Sequence, residues 1–158
     1  MSMSANSAEL RIASIQMVST PNLQENLSTA SRLIAAAAAD GAQLAVLPEY
    51  FCLMGLKDTD KVSARESLGS DPIQEQLSDI AQQNKLYLVA GTIPLEAKDP
   101  NKVLNTSLVF NPADKQIGRY DKIHLFGFQT ATESYQESET IEAGNEPGLL
   151  KITVSGND

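Results

Sequence analysis

Ala42-Gln43-Leu44-Ala45-Val46-Leu47-Pro48-Glu49-Tyr50-Phe51 is the stretch that decides the fold. Its first six residues are nearly all apolar, of strand length, and stopped by a proline. A short apolar run of this kind reads as a strand buried on both faces. Just before it, Leu23, Leu27, Ala30, Ile34, Ala37 and Ala38 recur at helical spacing. Asn22 with Glu25 resembles a capping box at the start of that helix, and Asp40-Gly41 supplies its left-handed end. Upstream again, Leu10–Val18 reads as another buried strand.

Downstream, residues 55–69 are polar and irregular, as in a loop at the mouth of a cleft. Asp71-Pro72-Ile73-Gln74 combines an N-cap, a first-turn proline and a capping partner. The helix it opens turns Ile73, Leu77, Ile80 and Ala81 inward and runs to about Asn84. Leu86–Ile93 reads as a third strand. Thr106–Phe110 and Gln116–Tyr120 flank Asn111-Pro112-Ala113-Asp114, a hairpin signal. Strand, helix, strand, helix, strand and hairpin in this order predict a layered α/β fold, with helices covering a sheet. Leu149–Val154 is strand-like, and Ser155-Gly156-Asn157-Asp158 has turn chemistry. A hairpin turn needs a second strand, so the expectation is a chain that stops mid-fold.

The chain has 158 residues, with 12 Lys plus Arg against 20 Asp plus Glu, a net charge of −8. Nucleic acid and anionic membranes both require a concentrated basic face, so neither is expected as a partner. No run of roughly 18 apolar residues is present to span a bilayer. The start lacks the basic-then-apolar pattern of a secretory signal, which predicts a cytoplasmic protein. Cys52 is the single cysteine and His124 the single histidine, so neither a disulfide framework nor a zinc cluster is expected. Phosphate-binding glycine motifs are absent, so nothing supports nucleotide binding.

Several residues could carry chemistry. Glu49 follows directly on an apolar strand, where side chains face the ligand crevice of open α/β sheets. Beside Pro48, Tyr50 and Phe51 it is expected to be partly desolvated, as suits a general base; a solvated loop glutamate is the competing reading. Lys122 lies in Tyr120-Asp121-Lys122-Ile123-His124-Leu125-Phe126. If that segment is extended, Lys122, His124 and Phe126 share a face, and Lys122 could stabilise an oxyanion. A solvated lysine on a surface strand is the alternative. His124 reads as a packed or hydrogen-bonded histidine rather than a proton shuttle. Cys52, in the apolar run Phe51-Cys52-Leu53-Met54, reads as a buried, inert thiol. Glu137 lies in an acidic stretch whose default reading is surface.

Together these segments resemble the carbon–nitrogen hydrolase (nitrilase) superfamily. The resemblance rests on Leu10–Met17, Gly41-Ala42, Leu44–Glu49, Gly91-Thr92-Ile93, Asn105-Thr106-Ser107, Tyr120–Phe126, and Gln136-Glu137-Ser138 with Gly144. It is most similar to the small amidases. The resemblance implies an αββα sandwich, incomplete here at its C-terminal side, and a Glu–Lys–Cys triad without metal or organic cofactor. Glu49 takes the place of the general base, Lys122 that of the oxyanion lysine, and Glu137 that of a second glutamate near the site. Tyr50 would line the pocket. The nucleophilic cysteine of the family lies downstream of the lysine, and Cys52 does not occupy its position. Residues 1–9 are then expected to be a disordered tail and 10–158 the N-terminal portion of the hydrolase domain. The implied substrate is a small amide bearing a carboxylate, and the implied assembly a homo-oligomer. Two rival readings stand beside it. One is an inactive relative that binds a small ligand or a partner subunit. The other is a receiver-type signalling module, which wants an acidic pair after the first strand where this chain has Gln16 to Ser19.

Overall fold

The computed structural model describes residues 9–69, 71–113 and 115–154. Residues 1–8 of the tail expected at 1–9, and the turn at 155–158, lie outside the described residues. In a six-stranded mixed sheet, β1, β2, β3 and β5 are neighbours in that order, β4 follows β3 along the same edge of β5, and β6 pairs with the opposite edge. Its strands are β1 (Ile12–Ser14), β2 (Leu44–Val46), β3 (Tyr87–Val89), β4 (Ile93–Glu96), β5 (Val103–Asn111) and β6 (Lys115–Asp121). The first three run parallel, in the register Ala13↔Ala45↔Leu88, and β5 is antiparallel to its neighbours. A separate hairpin pairs β7 (Gly127–Gln129) with β8 (Ser134–Gln136).

The helices α1 (Leu23–Ala39), α2 (Asp60–Ser63) and α3 (Pro72–Asn84) follow in chain order, the last two between β2 and β3. Leu27, Ala30 and Ile34 of α1 join Ile73, Leu77 and Ile80 of α3 over Ala45, Leu88, Leu108 and Phe110 of the sheet. Removal of this apolar surface from water is the main force holding the helical layer to the strands. One helical layer thus covers one face of the sheet, the layered α/β arrangement that the sequence pattern implies. No helix among the described residues is long and apolar enough to cross a membrane.

Four local expectations change. First, Leu10–Val18 is not buried on both sides. Ala13, Ile15 and Met17 pack on the core, whereas Leu10, Ile12 and Val18 are exposed, because β1 is an edge strand with a helix on one face only. Second, the strand read over Leu86–Ile93 is broken. Strands β3 and β4 pair with the same edge of β5, and the break at Ala90–Thr92 contains Gly91 at φ +47°. A Cβ at Gly91 would sit 2.0 Å from the Pro48 carbonyl oxygen, so only glycine permits that approach.

Third, Asp71 occupies the N-cap of α3 but makes no side-chain cap bond. The buried Glu66 accepts instead from the Ile73 amide at 2.5 Å, and from the Gln74 amide and side chain at 3.3 and 3.0 Å. A carboxylate at a helix N-terminus satisfies orphan donors and complements the dipole. Its loop carries α2 and pairs Glu66 with Leu95, so residues 55–69 are less irregular than expected. At α1 the cap is half a box: the Asn22 side chain accepts from the Glu25 amide, while Glu25 accepts from the Thr20 hydroxyl. Fourth, Leu149–Val154 forms no strand. It lies over the outer sheet face, with the Tyr87 hydroxyl donating to the Thr153 carbonyl at 2.9 Å and Leu150 against Gly118.

Candidate active site

Strand β2 ends at Val46, and Leu47 continues its ladder by donating to the Val89 carbonyl. Pro48 then nests against Gly91, and Tyr50 adopts φ +56°, a left-handed conformation costly for a residue with a side chain. What holds it there is the Thr92 hydroxyl, which accepts the Tyr50 amide at 2.9 Å. This turn aims Glu49 across the strand ends. The Glu49 side chain is 47% exposed, so it is not desolvated as expected. Its position is set instead by donors: Asn105 Nδ2 reaches Glu49 Oε1 at 2.7 Å and Lys122 Nζ reaches the same oxygen at 2.9 Å.

Lys122 stands just after β6 and is pinned at both backbone groups. Its amide donates to the Asn105 carbonyl at 3.0 Å, and its carbonyl accepts from Gly144 at 2.9 Å. Gly144 must approach closely: a Cβ there would lie 2.3 Å from the Asp121 carbonyl oxygen. Asp121 is braced in turn by the Thr106 hydroxyl and by Arg119. The Lys122 side chain is 22% exposed, not solvated, and bridges Glu49 at 2.9 Å to Glu137 at 3.0 Å. Burial pulls its pKa down, but the hydrogen bonds and charges of Glu49 and Glu137 outweigh burial and hold it above the ordinary lysine value. The ammonium is therefore a fixed cation.

Glu137 corrects its surface reading most clearly. It begins a short 3-10 helix over Glu137–Glu139, and its side chain is 6% exposed. The Phe126 amide donates to it at 2.7 Å, and the Tyr50 hydroxyl lies 3.5 Å away. Burial and the nearby carboxylates push the Tyr50 phenol well above its ordinary value, so it stays protonated. The structure therefore brings Glu49, Tyr50, Lys122 and Glu137 together.

It does not bring in the others. The segment after β6 leaves the strand, and His124 is exposed in a bend rather than packed. Phe126 turns to a three-ring cluster with Phe128 and Tyr135, at centroid distances of 6.1 and 6.2 Å. Cys52 is 1% exposed within the core, 3.8 Å from the Thr92 carbonyl. Burial pushes its thiol up to about 12, as expected for an inert cysteine. Asn105 was missed. Its signal was an asparagine within a strand, a side chain that must find a hydrogen-bond partner when buried. Among the described residues no group of His, Cys, Asp and Glu is arranged to hold a metal ion.

Chemically, the cluster offers one fixed cation between two carboxylates at the carboxyl end of a parallel strand pair. Comparison with known proteins bears on the chain as a whole. Residues 11–155 match the carbon–nitrogen hydrolase family. The chain is 35% identical over 148 residues to a deaminated glutathione amidase of Synechocystis sp., covering 92% of this chain and 54% of that protein. It is 36% identical over 140 residues to omega-amidase NIT2 of Xenopus tropicalis, covering 87% and 49%. Among solved structures it is similar to Saccharomyces cerevisiae Nit3, a member of branch 10 of the nitrilase superfamily. The TM-score is 0.74 with 29% identity, over 89% of this chain and 50% of that one. The chain spans about half the length of these curated relatives. Matched by the family model over residues 11–155, with a fold like that of Nit3, the chain belongs to the carbon–nitrogen hydrolase family.

Proposed function

We propose that the Glu49–Lys122–Glu137 cluster is the acid–base and oxyanion half of a site that hydrolyses small carboxylate-bearing amides. The observation that carries this reading is the single ammonium of Lys122, shared between two carboxylates within 3.0 Å. In this reading the nucleophile is a cysteine thiol brought to the cluster from outside these residues, because Cys52 faces the core. Glu49 takes the thiol proton, and Oε2 is the oxygen left for it, since both donors fall on Oε1. The sulfur–carbon bond forms as the carbonyl electrons move to oxygen, where Lys122 stabilises the negative charge. Collapse breaks the carbon–nitrogen bond, and Glu49 returns its proton to the departing ammonia. Water, deprotonated by Glu49, then cleaves the thioester to give the acid and restore the thiol. Glu137 fixes Lys122, and Tyr50 lines the pocket.

Ammonia release from small amides by the protein purified from its source tests this. Turnover is expected, with losses on the order of 10²–10⁴-fold in Glu49→Gln and Lys122→Met. Full activity in either variant would overturn the assignment. The 158-residue chain alone is expected to bind amides without releasing ammonia. Ordinary turnover by it would overturn the external thiol.

A further inference from the structure

Next to the cluster, on the far side of Tyr50, lies a hollow of about 80 Å³ lined by Tyr50, Met54, Lys57, Asp58, Lys61 and Tyr135. Its floor is firmly built. Gly55 approaches so closely that a Cβ would lie 2.6 Å from the Asp60 Cβ, and Asp60 uses its carboxylate to accept the Lys57 amide at 3.0 Å. This turn starts α2 and delivers Lys61 into the hollow. The Lys61 side chain is 13% exposed, an unusual degree of burial for a lysine. Its ammonium sits 5.5 Å from the centroid of the Tyr50 ring and donates to the Thr140 hydroxyl at 3.3 Å. Its carboxylate partner is Asp58, half-exposed and 3.5 Å away. An ammonium carries three donors, and neither of these contacts is short.

We propose that Lys61, with Lys57 at the rim, is the anchor for an anionic group, a carboxylate, at the far end of the amide substrate. This inference rests on the amide reading above and names the residue that selects within it. Three observations favour a negatively charged occupant. In a chain of net charge −8, two lysines and one aspartate line this hollow. The buried cation is weakly paired, so a substrate carboxylate gains a charge-assisted hydrogen bond at small cost to the Asp58 contact. Tyr50 is a shared wall: its ring faces Lys61 and its hydroxyl faces Glu137. A short molecule with a carbonyl at Lys122 and a carboxylate at Lys61 would thus span one side chain.

The test is binding to the intact chain, followed by amide proton–nitrogen NMR with the monoamides of malonate, succinate and glutarate and with their neutral diamides. At least one monoamide acid is expected to bind about tenfold tighter than its diamide and to shift Tyr50, Gly55 and Tyr135 together. Lys61→Met is expected to erase that preference, and Lys61→Arg to keep most of it. A lysine that merely braces the loop would not make affinity depend on ligand charge. Equal binding of acid and diamide by the unmodified chain would overturn the anchor and leave the amide reading standing. If neither ligand shifts Glu49, Tyr50 or Lys122, the amide reading falls, and the anchor with it. The comparison on the unmodified chain decides even if a variant fails to fold.

Discussion

Replacing Glu137 by glutamine changes one oxygen to an NH2 and removes one charge, at almost constant volume. In the structure Oε2 accepts from the Phe126 amide at 2.7 Å and from Lys122 at 3.0 Å, while Oε1 accepts from Lys122 at 3.1 Å with the Tyr50 hydroxyl at 3.5 Å. An amide retains one acceptor and turns the other contact into two donors facing each other. Hydrogen bonds to a charged group contribute roughly 1.5–3 kcal/mol each, and one full contact is lost. Destabilisation of about 2–3 kcal/mol is expected for Glu137→Gln. With a urea slope of about 1–3 kcal/mol per molar, the unfolding midpoint falls by roughly 0.7–3 M. Because much of the loss runs through Lys122, the same substitution should cost markedly less in a Lys122→Met background, a coupling on the order of 1 kcal/mol. A loss below about 0.5 kcal/mol for Glu137→Gln, or strict additivity with Lys122→Met, would refute the account of Glu137 as a buried partner.

Three other outcomes follow from the same geometry. Lys122 titrates above its ordinary value when folded, so its stabilisation is complete below the unfolded lysine pKa and is lost as pH rises through the folded one. Urea midpoints should therefore drop in strongly alkaline solution, and Lys122→Met should flatten the drop; Tyr50, also raised, contributes in the same direction. Cys52, with its thiol near 12 and 1% exposed, should react with an aromatic disulfide reagent only in denaturant, and fast labelling of the folded chain would contradict its placement. Gly91→Ala forces a Cβ against the Pro48 carbonyl at positive φ and should destabilise by more than about 2 kcal/mol, measured by urea unfolding; a near-neutral result would mean that the Pro48–Tyr50 turn sits elsewhere.

What could be read from the chain differs from element to element for physical reasons. The helix over Leu23–Ala39 was legible because its apolar spacing, its Asn22 cap and Gly41 all act locally. Pro48-Glu49 was legible because a proline ends an apolar strand and leaves the next residue at the crevice. The break at Gly91 was not, since it answers to a carbonyl more than forty positions upstream in the chain. The Glu66 cap was hidden in the same way, with Asp71 in the expected place but turned to the Ser67 amide instead. Glu137 sits among other acids, and its sequence neighbours gave no sign that Lys122 and the Phe126 amide would enclose it. The role given to it came from resemblance, and only its burial shows why a carboxylate is held there. Local patterns set the elements, whereas long-range pairs set the charge geometry.

The claim at the centre is that a small amide places its carbonyl at Lys122. Isotope-filtered nuclear Overhauser spectra of the chain with bound propionamide test it directly. The account predicts contacts from the ligand to the Lys122 side chain and the Tyr50 ring, lost in Lys122→Met. Contacts confined to another surface, such as the groove between Val109 and Leu150, would contradict it.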